Sequence, residues 1–208
     1  MLHVETVEPG TLALLRQLMS MPALRDFSLV GGTALSLRFG HRTSIDLDLF
    51  SDIPFENSAM ITAMEQEFGE RFSYRTANSG FGLFCFVDGV KVDIVRYPHP
   101  RIATTETVDG IRLYADADIA AMKIQAMLGR GKKKDFWDLF ELFQHYDLQQ
   151  VMDWHNEKFP NQMLAIGIPH ALLYFVDADD SDEPVSLKGQ TWEGIKKAIS
   201  RTVSKYLS

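Results

Sequence analysis

The chain has 208 residues, 46% of them hydrophobic and 24% charged, with a formal net charge of −7. That is the composition of a globular protein long enough to bury a core without staples. It excludes a broad basic surface for nucleic acid, a disulfide scaffold (Cys85 is the single cysteine) and, with no run of about 18 apolar residues, a membrane-spanning helix. The N-terminus has no basic segment followed by an apolar stretch, so no signal peptide is expected, and the expected location is the cytoplasm.

Pro9 opens an expected helix over 9–20, with Leu12, Leu15 and Leu18 on one face. Phe27–Val30 reads as a short strand that runs into Gly31-Gly32, and a second helix follows and ends near Gly40. Ile45–Phe50 alternates apolar residues with aspartate, the period of a strand. Glu56–Phe68 reads as helix, and Phe72–Thr76, Gly82–Val87 and Val90–Arg96 as strands, the last two joined by an Asp88-Gly89 hairpin turn. Residues 98–115 read as a crossing segment with a short strand at Ile111–Tyr114. Beyond Asp116 the periodicity is helical, with helices expected near 116–129, 134–145, 147–158, 162–175 and 191–206, and a surface loop at 177–189. The expected fold class is α+β, with residues 1–115 a mixed strand-and-helix unit and residues 116–208 a mainly helical one.

Residues two apart on a strand share a face, so Asp46 and Asp48 project together while Leu47 and Leu49 enter the core. Two adjacent carboxylates repel unless a cation lies between them, and Mg²⁺ takes oxygen ligands together with substrate phosphates. Alone, the pair is equally well the solvent face of a strand. Asp93, in Lys91-Val92-Asp93-Ile94-Val95, offers a third carboxylate if its strand lies beside the first. Together, Asp46, Asp48 and Asp93 could bind two Mg²⁺ ions that clamp the attacking and leaving oxygens of a phosphoryl-type transfer, with Asp93 assisting deprotonation of the attacking hydroxyl. Gly31-Gly32-Thr33 lies at a strand-to-helix turn, where glycines allow close backbone approach and helix N–H groups attract phosphate. The Thr33 hydroxyl would add a donor.

The string Val30-Gly31-Gly32-Thr33-Ala34-Leu35, then Gly40-His41-Arg42-Thr43-Ser44-x-Asp46-x-Asp48-x-Phe50, then the distal Asp93, resembles the DNA-polymerase-β-like nucleotidyltransferases, and the AbiEii/AbiGii toxin family in particular. Ala117-Asp118-Ile119-Ala120-Ala121-Met122-Lys123 and Arg130-Gly131-x-x-Lys134-Asp135-Phe136-x-Asp138-Leu139 are similar to further motifs of that family. Leu173-Tyr174-Phe175-Val176-Asp177-Ala178 and Trp192 look like features of a compact subgroup. The resemblance implies a minimal nucleotidyltransferase core followed by helices, an NTP donor and Mg²⁺. Relatives include toxins of toxin–antitoxin and phage-defence systems and enzymes that extend tRNA 3′ ends, which would bring an antitoxin and an RNA or tRNA acceptor as partners; a protein acceptor stays open.

On this basis the catalytic candidates are Asp46, Asp48, Asp93, Lys123 and Asp138. Gly31, Gly32, Thr33, Arg42, Ser44, Lys123, Lys134 and Asp135 are nucleotide-binding candidates. Lys123, close to the apolar stripe of its helix, could hold a triphosphate as a point charge. Asp135 and Asp138, three apart, share a helix face and would orient Lys123 or the donor nucleotide. Arg130, Lys132, Lys133 and Lys134 form the dense basic cluster, a phosphate contact or a solvated loop. The histidines show no zinc-ligand spacing. Cys85, in the run Leu83–Val87, reads as a small core residue rather than a nucleophile. The competing reading is a non-catalytic module on the same fold that senses nucleotide or docks a partner.

Overall fold

The computed structural model describes residues 1–74 and 80–208. Helix α1 (Pro9–Ser20) leads to β1 (Ser28–Val30), α2 (Gly31–Phe39), β2 (Leu47–Ser51), α3 (Asn57–Phe68), β3 (Phe72–Tyr74), β4 (Gly82–Val87), β5 (Val90–Arg96), β6 (Glu106–Val108) and β7 (Ile111–Leu113). Then come α4 (Asp116–Gly129), α5 (Lys133–Leu142), α6 (Leu148–Lys158), the short α7 (Ile168–Ala171) and α8 (Val176–Asp179), and α9 (Trp192–Leu207).

The strands form one mixed sheet in the order β3-β4-β5-β2-β1-β7-β6. Its centre is β2, antiparallel to β1 and parallel to β5. A central strand buries both neighbours' backbones, and the alternation of β2 follows: Leu47 and Leu49 are buried while Asp48 and Phe50 are half-buried. Asp88 and Gly89 both have positive φ, as the tight turn between β4 and β5 requires. Gly40 takes the left-handed conformation that stops α2. Cys85 is buried and burial pushes its thiol up to about 12, which fits a core residue.

Three expectations need correction. The strand of the aspartate pair begins at Leu47, so Ile45 and Asp46 lie in the loop before it and Ile45 is exposed. The helix expected over 162–175 is broken. Pro169 lacks an N–H and its ring clashes with an upstream carbonyl, so helix forms only from Ile168. The loop expected at 177–189 begins inside α8, and its later part straps the molecule: Thr43 N–H donates to Val185 O (3.0 Å), Leu187 N–H to His41 O (2.9 Å), and Arg42 bridges antiparallel to Ser186. The end of the strand expected at Phe72–Thr76 lies outside the described residues.

The helices after residue 115 pack on the sheet through α2, which contacts α4 and α5. A buried ion pair fixes the crossing segment to them. Lys158 Nζ donates to Asp118 (2.6 Å) and to Pro100 O (2.9 Å), while Asp118 accepts from the N–H groups of Ile102 and Ala103, both at 3.1 Å. Lys158→Ala leaves the Asp118 carboxylate buried without its cation, and should cost about 3–5 kcal/mol in urea denaturation. A loss within about 0.5 kcal/mol, the range of ordinary surface substitutions, would contradict this account.

Candidate active site

The end of β1, the N-terminus of α2, β2, β5 and α4 surround a cleft of about 420 Å³. Asp48 and Asp93 sit on its sheet side, Gly31 on its helix side, and Lys123, Gln125 and Arg130 on α4 and its end face them. The parallel register places Asp48 directly beside Asp93. The Asp93 strand is therefore the neighbour of the aspartate-pair strand. Val30 pairs with Asp48 across the antiparallel side, which sets the Gly31 turn beside the same carboxylate. A Cβ on Gly31 would stand 2.6 Å from Asp48 Oδ2, and Gly31 also has φ of 71°, so glycine is required on both counts.

Asp46 stands apart from these two in the loop ahead of β2. Its backbone carbonyl accepts from the Thr33 hydroxyl, which is also paired with Ser44 Oγ at 2.8 Å. Thr33 is buried, so its hydroxyl ties the aspartate loop to α2 and is not a spare donor for phosphate as expected. Ser44 likewise serves this tie. Lys134 Nζ approaches Asp46 at 3.6 Å, and Lys91 Nζ is ion-paired with Asp93.

Beneath the α2 N-terminus lies a buried charge cluster. Asp138, fully buried, accepts from His41 Nε2 (2.8 Å) and from Arg42 Nε (2.7 Å) and Nη2 (2.9 Å), and pairs with Lys123 Nζ (2.6 Å). Asp135 accepts from Lys123 Nζ (3.2 Å) and twice from Arg130 (3.1 Å each). A Cβ on Gly32 would collide with the Arg42 guanidinium, so the second glycine makes room for this cluster. Arg42 is buried, and its donors go to Asp138 and to the Thr43 carbonyl, so the expected phosphate contact is a structural ion pair in this arrangement. Asp138 does not line the cleft and reaches it only through Lys123. His41 was not singled out by sequence reasoning; its neighbour Arg42 was, and the Gly40-His41-Arg42 string carried the signal.

Burial alone would raise the Asp138 carboxyl, but the Arg42 and Lys123 charges and the His41 and Arg42 hydrogen bonds hold it well below the usual range. Asp135 is lowered in the same way, against burial, by Lys123 and Arg130. Asp48 goes the other way: burial and then the Asp93 charge raise it.

Among the described residues no three His, Cys, Asp or Glu side chains converge closely enough to coordinate one ion as they stand. The donor chemistry nevertheless fits a hard divalent cation. Asp48 and Asp93 are adjacent carboxylates whose mutual repulsion a cation would relieve, and the Asp93 Oδ1 atom is buried with no hydrogen-bond partner. Both residues line the cleft that Lys123 and Arg130 border.

Two predictions follow from these charges. Asp48→Asn removes a carboxylate that is destabilised by burial and by Asp93, so in metal-free buffer it should raise Tm by about 2–4 °C, the shift that about 1 kcal/mol produces at this chain length. An unchanged or lower Tm would mean that Asp48 is not under repulsion. The lowered Asp135 and Asp138 contribute stability that is present above the usual carboxylate pKa. That stability is lost as pH falls through their folded values, so the urea midpoint should drop steeply below about pH 4. Asp138→Asn should start lower at pH 7 and lose part of this acid dependence; an unaltered pH profile would remove Asp138 from the account.

The profile of the family described as nucleotidyl transferase AbiEii toxin, type IV toxin–antitoxin system, matches residues 13–202. An uncharacterized protein of Aquifex aeolicus (strain VF5) is 33% identical over 199 residues, covering 93% of this chain and 94% of its own. Among solved structures, JHP933 from Helicobacter pylori superposes with a TM-score of 0.59 at 16% identity, covering 99% of this chain and 93% of that one. MenT4, a nucleotidyltransferase toxin from Mycobacterium tuberculosis H37Rv, gives 0.55 at 17% identity over 92% and 83%. These likenesses agree with the mixed sheet and the helices that follow it. The family profile spans most of the chain, the cleft of Asp48, Asp93, Gly31 and Lys123 lies within the matched residues, and the chain belongs to the AbiEii nucleotidyltransferase toxin family.

Proposed function

We propose that the cleft transfers a nucleoside monophosphate from a Mg²⁺-bound NTP to the hydroxyl of an RNA acceptor, tRNA being one class. The observation that carries this reading is the side-by-side placement of Asp48 and Asp93 opposite Lys123 and the N-terminus of α2, in a chain of a nucleotidyltransferase family. The ordering of residues supports a catalytic unit over 1–115 with a helical unit over 116–208 closing the cleft.

Asp46, Asp48 and Asp93 would hold Mg²⁺. When bound, the metal supplies charge neutralisation on the phosphates and on the attacking and leaving oxygens. No side chain caps the start of α2, and the first N–H groups of a helix suit phosphate oxygens. The buried part of the cluster, Arg42 and Lys123 against Asp135 and Asp138, is balanced; the exposed Arg130 guanidinium adds one formal positive charge on the rim of the cleft itself, which favours an anionic triphosphate. Lys123 is the member of the cluster that both lines the cleft and is fixed on two carboxylates, so it meets the phosphates without reorganising. Asp138 and Asp135 act through Lys123, Arg42 and Arg130 and are positioning residues. Lys134, within 3.6 Å of Asp46, is placed to exchange that carboxylate for a phosphate. Asp93 is the carboxylate suited to accept the proton of the attacking hydroxyl. Attack in line on the α-phosphorus forms the new P–O bond, breaks the bond to the β-phosphate bridge and releases pyrophosphate.

The family membership supports a role as the toxin of a type IV toxin–antitoxin or phage-defence pair, with an antitoxin as partner. Among the described residues no helix is long and apolar enough to cross a membrane.

The test incubates the protein with Mg²⁺ and each of the four NTPs, labelled at the α-phosphate, together with total bacterial RNA and with cell extract. Label should move to RNA, and Asp46→Asn or Asp93→Asn should lower the rate at least about a hundredfold. Retained full activity in either variant would sink the metal-site assignment. Label on protein, or orthophosphate released in place of pyrophosphate, would replace the acceptor or the reaction.

A further inference from the structure

Two further cavities adjoin the carboxylate cleft and share lining residues with it. One, of about 530 Å³, runs past Tyr97, His99 and Phe159; the other, of about 620 Å³, runs past Arg130, Met163 and Tyr174. Gln125 on α4 lines all three. Among the residues lining the carboxylate cleft it is the one neutral amide, set among Phe50, Tyr97 and Met122. Phe50 and Tyr97 are 5.2 Å apart between ring centroids, and Tyr97 and His99 are 4.6 Å apart, so an aromatic wall runs from the carboxylates outward. Flat apolar walls with one polar edge group suit a nucleobase, which stacks on its faces and is read at its edge.

The Gln125 amide is not loose. His155, buried on α6, holds its Oε1 through Nε2 at 3.1 Å. Burial lowers the His155 pKa, so the ring is neutral and carries one N–H. Gln125 presents its Oε1 to the ring, and an amide oxygen only accepts, so Nε2 carries the proton and donates to it. The Gln125 NH₂ group is then the end left for the cleft.

We propose that Gln125 is the base-selecting residue of this enzyme, that it presents two N–H donors to the base of the incoming NTP, and that His155 is the positioning residue that fixes this polarity. The inference rests on the nucleotidyl-transfer reading of the same cleft. A pair of donors matches a base edge with two adjacent acceptors, O2/N3 of cytosine or O6/N7 of guanine. It fits poorly on edges where a donor adjoins the acceptor, as N6–H₂ does in adenine and N3–H in uracil. CTP or GTP should therefore bind more tightly than ATP and UTP.

The test measures equilibrium binding of the four Mg²⁺-NTPs, as analogues that cannot be cleaved between the α- and β-phosphates, to wild type, Gln125→Leu and Gln125→Glu. No acceptor is needed. Wild type should prefer the best of CTP and GTP over ATP and UTP by about tenfold or more, and Gln125→Leu should bring the four within about threefold of one another. Gln125→Glu presents acceptors only, and its ratios should shift from CTP and GTP toward ATP, whose N6 amino group is the donor that the wild-type amide meets poorly; any general charge penalty cancels in the ratios. His155→Leu releases the amide to rotate and should narrow the preference while the mean affinity for the four stays. A wild-type preference for ATP or UTP, or a preference that survives Gln125→Leu in a folded variant, would overturn the proposal. No binding of any NTP to wild type would overturn instead the transfer reading on which it rests.

Discussion

The Asp138 carboxylate is the point on which the site depends. It is fully buried, and such a charge persists only where several donors surround it. Its partners come from two distant places in the chain: His41 and Arg42 from the loop after α2, and Lys123 from α4. One ionised group thus fastens the aspartate-bearing loop to the helices that follow the sheet. Gly32 belongs to the same constraint, because any side chain there would displace the Arg42 guanidinium. The buried charges of the cluster are balanced, and the exposed Arg130 that caps Asp135 puts one positive charge on the rim of the cleft where a triphosphate would lie. Stability and electrostatic preparation come from the same residues.

Electrostatics divides the carboxylates into two kinds. Asp135 and Asp138 are lowered because each is matched by cations, and they support the site. Asp48 is raised because burial and Asp93 oppose its charge, and it sits in the cleft. A buried carboxylate that the fold does not neutralise needs an external cation, and its register partner Asp93 keeps one oxygen buried without a partner. The molecule therefore keeps local repulsion at the cleft and matches the carboxylates of the cluster beside it with cations.

Much of this was legible in the sequence because it depends on local period and on short motifs. The alternation through Leu47-Asp48-Leu49 defined the strand, the Gly31-Gly32 pair defined its neighbour's turn, and Asp93 lay in an apolar strand pattern of its own. What the sequence did not disclose is how polar side chains are shared. Thr33 looked like a phosphate donor, but its hydroxyl binds the Asp46 carbonyl; Arg42 looked like a phosphate contact, but Asp138, 96 positions later, takes both prongs of its guanidinium. Such pairings are fixed by tertiary contact, which period and composition do not encode. The broken helix after residue 162 was missed for a different reason: its apolar pattern continues across Pro169, and the ring's steric veto outweighs the pattern.

The strap formed by residues 185–187 bears on how the protein is made. His41 and Thr43, which lead into the aspartate loop, exchange backbone hydrogen bonds with Val185 and Leu187. During synthesis the loop is made well before its backbone partners, which lie about 140 residues later in the chain. A nascent fragment that stops short of residue 185 carries every carboxylate of the cleft and lacks the strand-like brace that holds their loop in place. The shape of the cleft is thereby tied to a segment made long after its carboxylates.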